Sequence, residues 1–357
     1  MLLGGVVQSP AGVEMKDSKM TNTPGLSIPP HLAIYHWRPV QVGDIPTIKA
    51  MLTAAAEIDP REERPSDERI KHIFALLGEN IETNSLAAFS TDGMVVALAL
   101  VFILPADDEH VAMIDGSVHV DYRGRGLGSF ILDWIEKRVR QSFEGIEDGK
   151  SQLIRMSCAD HQADRIALFE QHHFIPVRYA YKMQRELQQP VPDKGLIHEL
   201  RFKPWREELN IPMMHAFNEA FQGHWGLPTI TEQIWQQLFT GVPQFRSDLT
   251  YLVMNGDKIV AFCLNWVNEG KTEQIGVKEG WVEALGVLPA WRGRGIASAL
   301  LSRSLHAFSD IGLERAALDV DAQNPTGALR LYEKVGFEAV KRTIMFHKQL
   351  NKVSRSE

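Results

Sequence analysis

The stretch Val287-Leu-Pro-Ala-Trp-Arg292-Gly-Arg-Gly295-Ile-Ala297 decides the reading of this chain. It follows a β-type run, Trp281 to Val287, and opens an apolar helical pattern, Ile296 to Phe308. Gly293 and Gly295 remove the Cβ atoms that would hold an anion away from the backbone. The first turn of a helix leaves its N–H groups unpaired and carries the positive end of the helix dipole. Strand, glycine turn and helix start together make an anion cradle, with Arg292 and Arg294 adding positive charge. One such loop alone is weak evidence, because strand-to-helix turns favour glycine anyway.

The same layout recurs upstream, at Val118-His-Val-Asp-Tyr-Arg123-Gly124-Arg-Gly126-Leu-Gly128. Leu168-Phe-Glu-Gln-His-His-Phe174 matches Leu331-Tyr-Glu-Lys-Val-Gly-Phe337, and Arg38 in His-Trp-Arg-Pro matches Arg201 in Leu-Arg-Phe-Lys-Pro. Three islands in one order and at nearly constant offset are an internal repeat. The chain therefore divides into a tail (1–30, disordered), a first domain (31–187), a linker (188–197) and a second domain (198–352). Gln188 to Gly195, with two prolines and a glycine, is the natural linker sequence.

Each copy shows the same element order. An arginine-led strand is followed by amphipathic helices, then paired β-runs, then the strand feeding the glycine loop and a long helix. A buried strand, a short helix and a last strand complete it. Asp92-Gly93 and Asn255-Gly256 sit between paired runs as two-residue hairpin turns. This is an α/β pattern of the α+β, mixed-sheet kind.

A chain of 357 residues suits two cores. The net charge of −7 argues against a nucleic-acid partner, which would want a basic face. Cys158 and Cys263 have neither metal-ligand nor redox spacing, so no metal is expected and a reducing cytoplasm fits. No run of about twenty apolar residues is present, so no membrane span is expected. The opening Met-Leu-Leu-Gly-Gly lacks the basic segment of a secretion signal. The oligomeric state is not readable.

With its two glycine loops, the sequence resembles the GNAT N-acetyltransferases. Val287, Pro289, Arg292, Gly295 and Ala297 match that superfamily's acyl-CoA signature, and Asn324 to Phe337 match its second signature. The tandem arrangement and Phe221-Gln-Gly-His224-Trp225-Gly resemble the mycothiol synthase relatives. The resemblance implies two tandem acyl-CoA-binding domains whose sheets splay at the strand before the loop. It implies acetyl-CoA as co-substrate and direct acetyl transfer to a primary amine of a small molecule or peptide. Leu285, Val287, Arg292, Gly293, Arg294, Gly295, Ala297 and Asn324 would hold the cofactor in the second copy. Val118, Arg123, Gly124, Gly126 and Gly128 would do so in the first.

Such a transfer needs a base for the ammonium, which titrates at about 10.4, and help for a departing thiol of pKa about 8.5. The resemblance assigns Tyr332 as proton donor to sulfur. Glu283 is the candidate base, placed by strand alternation on the face of Leu285 and Val287. The position one pair earlier, where the superfamily often has its glutamate, is Trp281. His224 and Trp225 would line the acceptor site, where Trp225 offers a ring to a cationic or sugar-like acceptor. Asp319 and Asp321 flank Val320 on the preceding strand, facing the acceptor or simply solvating the strand end.

The first copy departs where chemistry would sit: Phe169 stands for Tyr332, His161 for Asn324 and His173 for Gly336. Two readings stay open for it, CoA binding without turnover or a brace for its partner. For the whole chain, the alternative to an enzyme is a non-catalytic acyl-CoA-binding regulatory module.

Overall fold

The computed structural model describes residues 26–58, 66–104, 108–192, 194–268, 276–324 and 326–351. These form two compact units, one of residues 26–177 with 345–351, the other of residues 178–344. Of the expected tail, residues 1–25 lie outside the described residues. Pro30–Leu32 instead forms a 3₁₀ turn that buries Leu32.

In the first unit the strands are β1 (His36–Arg38), β2 (Ser85–Phe89), β3 (Val95–Ile103), β4 (Glu109–Val118) and β5 (Ser151–Ala159), in that spatial order. Helices α1 (Ile45–Ile58) and α2 (Asp67–Leu77) lead through the short α3 (Ile81–Asn84) into β2. Ile48, Met51, Ile70 and Phe74 of this helix pair close over Leu98 and Leu100 of β3. The 3.6-residue apolar spacing thus meets the 2-residue spacing of a strand. Helix α4 (Leu127–Ser142) follows the glycine loop, and α5 (Ala163–Gln171) follows β5.

The second unit repeats the plan with β7 (Arg201–Pro204), α6 (Asn210–Ala220), α7 (Glu232–Trp235), β8 (Tyr251–Asn255), β9 (Lys258–Val267), β10 (Glu279–Val287), α8 (Ile296–Asp310), β11 (Arg315–Asp321) and α9 (Ala328–Lys334). Helix α7 is α only as far as Trp235 and continues as a π-turn, Gln236–Thr240. Both hairpin turns form, with Gly93 at φ +83° and Gly256 at φ +59°.

The last strands are exchanged. The strand ending the first repeat, β6 (Ile175–Glu186), pairs antiparallel with β11 from Glu186–Arg315 to Ala180–Asp321. The strand ending the second, β12 (Glu338–Gln349), lies beside β5, and its residues from Met345 onward belong to the first unit. The compact units meet at Val177 and Arg178, within β6, and again at Ile344 and Met345, within β12.

Candidate active site

The site of the second unit is built where two parallel strands part. β10 and β11 pair from Glu279–Arg315 to Trp281–Ala317. Beyond that point β10 runs on to Val287 and β11 to Asp321 without pairing to each other among the described residues. The parting leaves one backbone edge of β10 open, with N–H and C=O groups that need partners.

A β-bulge sits at the point of parting. Val282 is opposite Asn265 and Ala284 opposite Leu264, so Glu283 is the extra residue. A bulge reverses the alternation downstream. Val282 joins the core under α8, whereas Ala284 joins the core under α6 and α7. Leu285 and Val287 pack on the α8 side. Glu283 therefore does not share their face, as regular alternation implied. It lies with Trp281, whose indole N–H donates to Glu283 Oε2 at 3.1 Å. The carboxyl is thus on the face away from α8, while Leu285 and Val287 line the α8 side.

Burial pushes the Glu283 carboxyl up to about 8, and the Asp319 carboxylate pushes the same way. The Trp281 hydrogen bond works against both, because it favours the charged form. A carboxyl poised in this range can take a proton near neutral pH. Tyr332, on α9, is buried, which holds its phenol above its ordinary value and therefore protonated.

The glycine loop is preformed. Gly293 and Gly295 take φ of +77° and +76°, and Gly295 caps α8 in the left-handed region. A Cβ at either glycine would meet open space, so the loop amides face room for a pyrophosphate. Arg292 ties the loop down, Nη2 donating to Ala220 O at 2.7 Å and Nε to Val287 O at 3.2 Å. The Arg294 guanidinium lies 4.8 Å from the Trp291 ring. Asn324 Oδ1 accepts from the Thr326 N–H and hydroxyl, so it fixes the turn into α9.

His224 and Trp225 lie between α6 and α7, at the end of β11. The Arg178 guanidinium stands 5.0 Å from the Trp225 ring, and its Nε and Nη2 both donate to Asp321 Oδ2, at 2.9 and 2.7 Å. The stacking place that the sequence offered to a cationic acceptor is thus taken by a residue of the chain. Burial lowers the His224 imidazole, keeping it neutral, and its Nδ1 finds no hydrogen-bond partner among the described residues. Sequence reasoning missed Arg178, because nothing local assigns β6 to this unit.

The first unit has the same parting strands, paired from Glu109–Ser151 to Met113–Arg155, but its strand β4 pairs with β3 in unbroken register. Its loop has the same backbone, with Gly124 at φ +72° and Gly126 at φ +84°. Its own side chains occupy the cleft. Arg165 of α5 reaches into the parting and donates to the Gly116 carbonyl, where the second repeat has Ala328. His31 Nε2 lies 3.0 Å from where a Gly126 Cβ would stand. Phe169 is buried against Phe346 and Phe174. His173, in the place of Gly336, holds φ +62°, a strained conformation for a side chain-bearing residue.

A sequence model described as the acetyltransferase (GNAT) family matches residues 49–174 and again residues 210–337. The chain belongs to the acetyltransferase (GNAT) family. This GNAT protein is an acyltransferase that takes acetyl-CoA as co-substrate and an amine as acceptor. It is 28% identical to a mycothiol acetyltransferase of Rothia mucilaginosa over 69% of this chain and 73% of the relative. It is 27% identical to one of Thermobispora bispora, over 83% and 92%. A GCN5-related N-acetyltransferase of Sphaerobacter thermophilus superposes with a TM-score of 0.74 at 25% identity, over 92% of this chain and 98% of that one. No helix among the described residues is long and apolar enough to cross a membrane.

Proposed function

We propose that the second repeat alone performs the transfer, with Glu283 as base and Tyr332 as acid, on a primary amine of a small molecule or peptide. The observation that carries this is the bulge at Glu283. It turns a carboxyl of raised pKa to the acceptor side at the point where β10 leaves β11.

Acetyl-CoA would lie against the open edge at Leu285 and Val287, its pyrophosphate on the amides from Gly293 to Ala297. Glu283 takes a proton from the ammonium, and the freed amine attacks the thioester carbonyl. The tetrahedral intermediate collapses, breaking the C–S bond, and Tyr332 gives its proton to the sulfur. Holding both reactants in line supplies most of the acceleration, and no covalent enzyme intermediate is needed. The first repeat, with Arg165 in its parting and Phe169 in place of the tyrosine, serves as a brace. The non-catalytic module has less support, since a binder gains nothing from a bulged carboxyl of raised pKa at the parting of β10 and β11. Action in the cytoplasm fits the two buried free thiols, Cys158 and Cys263.

The test is a paired substitution. Tyr332→Phe should lower kcat about 10²-fold and leave KM for acetyl-CoA unchanged, because its proton is given only in the transition state. Gly126→Val should spare most turnover. If Gly126→Val abolishes turnover in a folded protein and Tyr332→Phe does not, catalysis belongs to the other repeat.

A further inference from the structure

The acceptor face of the second unit carries its charges as a ladder. Glu279 lies in a buried cluster, taking a hydrogen bond from Gln184 at 2.8 Å with the Lys182 ammonium 3.7 Å away. The same ammonium lies 5.1 Å from the Trp281 ring. Asp321 is held by Arg178 through Oδ2, and its Oδ1 accepts the Gln323 N–H at 2.9 Å. Lys182 and Arg178 both come from β6, the strand contributed by the first repeat.

Two of the features that bind a second cationic group on an acceptor are an aromatic face and a carboxylate. Both exist at this end of the site, as Trp225 and Asp321, and both are occupied by one guanidinium. A second ammonium here would meet Arg178 rather than Asp321, and like charges in contact are costly. The guanidinium retains Nη1, whose N–H groups have no partner among the described residues. These groups suit an acceptor atom that takes hydrogen bonds.

Resting on the reading of Glu283 as base, we propose that Arg178 is a specificity-determining residue. It excludes diamines and polyamines and selects monoamines that carry an oxygen group, hydroxyl or carboxylate, a few atoms from the amine. Such selection works by repulsion of the wrong ligand as much as by attraction of the right one. It also explains a role for the first repeat: its last strand brings the selecting cation.

The experiment uses the full chain and three matched acceptors, 4-amino-1-butanol, 4-aminobutanoate and 1,4-diaminobutane, with CoA release followed under saturating acetyl-CoA. Wild type should favour the two oxygen-bearing acceptors over the diamine by about tenfold or more in kcat/KM. Arg178→Ala should collapse that ratio by about the same factor, chiefly through a lower KM for the diamine as Trp225 and Asp321 become available. Arg178→Lys should keep the exclusion of the diamine. Thermal midpoint and KM for acetyl-CoA serve as controls, since a merely structural residue would move them and leave the ratio alone. Turnover without discrimination in wild type, or a ratio unchanged in Arg178→Ala, overturns the assignment of Arg178 only. No CoA release with any of the three overturns this inference, while the reading of Glu283 stands or falls on its pH–rate profile.

Discussion

Replacing Glu283 by Gln isolates the proton-taking step, and the structure sets its size. The substitution keeps the shape and the acceptor for the Trp281 indole N–H while removing the base. With its pKa near 8, the carboxyl is about one tenth ionised at pH 7, half at pH 8 and nine tenths at pH 9. The sign follows directly: a base must be ionised to act, and burial delays ionisation, so activity rises with pH through the raised value. Wild-type kcat/KM for the amine should climb about tenfold from pH 7 to pH 9, with a midpoint near 8. Glu283→Gln should be about 10²-fold slower at pH 7. Its profile should lose the inflection near 8 and rise only as the amine itself deprotonates toward about 10.4. Trp281→Phe supplies an independent check. It removes a hydrogen bond that favours the carboxylate, so the inflection should move up. The assay is a pH–rate profile at saturating acetyl-CoA. An inflection near 8 that persists in Glu283→Gln would remove Glu283 as the base.

Calorimetric titration with acetyl-CoA should find one site per chain, because Arg165 and His31 stand in the cleft of the first repeat; two sites would show that cleft to be open. Gly295→Val should abolish that one site, since valine is strained at φ +76° and its side chain would stand on the amides that receive phosphate. Gly286→Val should destabilise the second unit by about 1–3 kcal/mol in denaturant melts, because an added Cβ would overlap the Phe262 ring. An unchanged midpoint there would mean that the ring can swing aside.

The repeat, the element order and the two loops were legible because each rests on local chemistry. Glycines in the left-handed region, an Asn-Gly hairpin and alternating apolar residues act over a few positions. The bulge at Glu283 was not legible. Nothing in Trp-Val-Glu-Ala-Leu-Gly-Val marks which residue is extra, since the choice depends on the register with β9. Regular alternation then gave Glu283 the wrong neighbours: it shares a face with Trp281, while Leu285 and Val287 point the other way. The occupants of the first cleft were hidden for a similar reason, since His31 and Arg165 lie far apart in sequence and only the fold brings them to one cleft.

The strand exchange shows the limit most clearly. Ile175–Glu186 and Glu338–Gln349 end homologous repeats, so each carries a pattern that can complete either β5 or β11. Alternation fixes which side of a strand is buried, but it cannot choose between two homologous neighbours. The choice has chemical weight. Pairing Asp321 with Ala180 places Arg178 just beyond the end of β11, within reach of the Asp321 carboxylate and the Trp225 ring. Had β12 taken that position, the residues facing Asp321 would have come from a different sequence, and the matching cation would depend on it. On the proposed reading, the second repeat holds its own base, acid and phosphate loop, and the first supplies the strand that faces the acceptor. On that reading, losing the first repeat would remove both a sheet strand and the Arg178 guanidinium from beside Asp321.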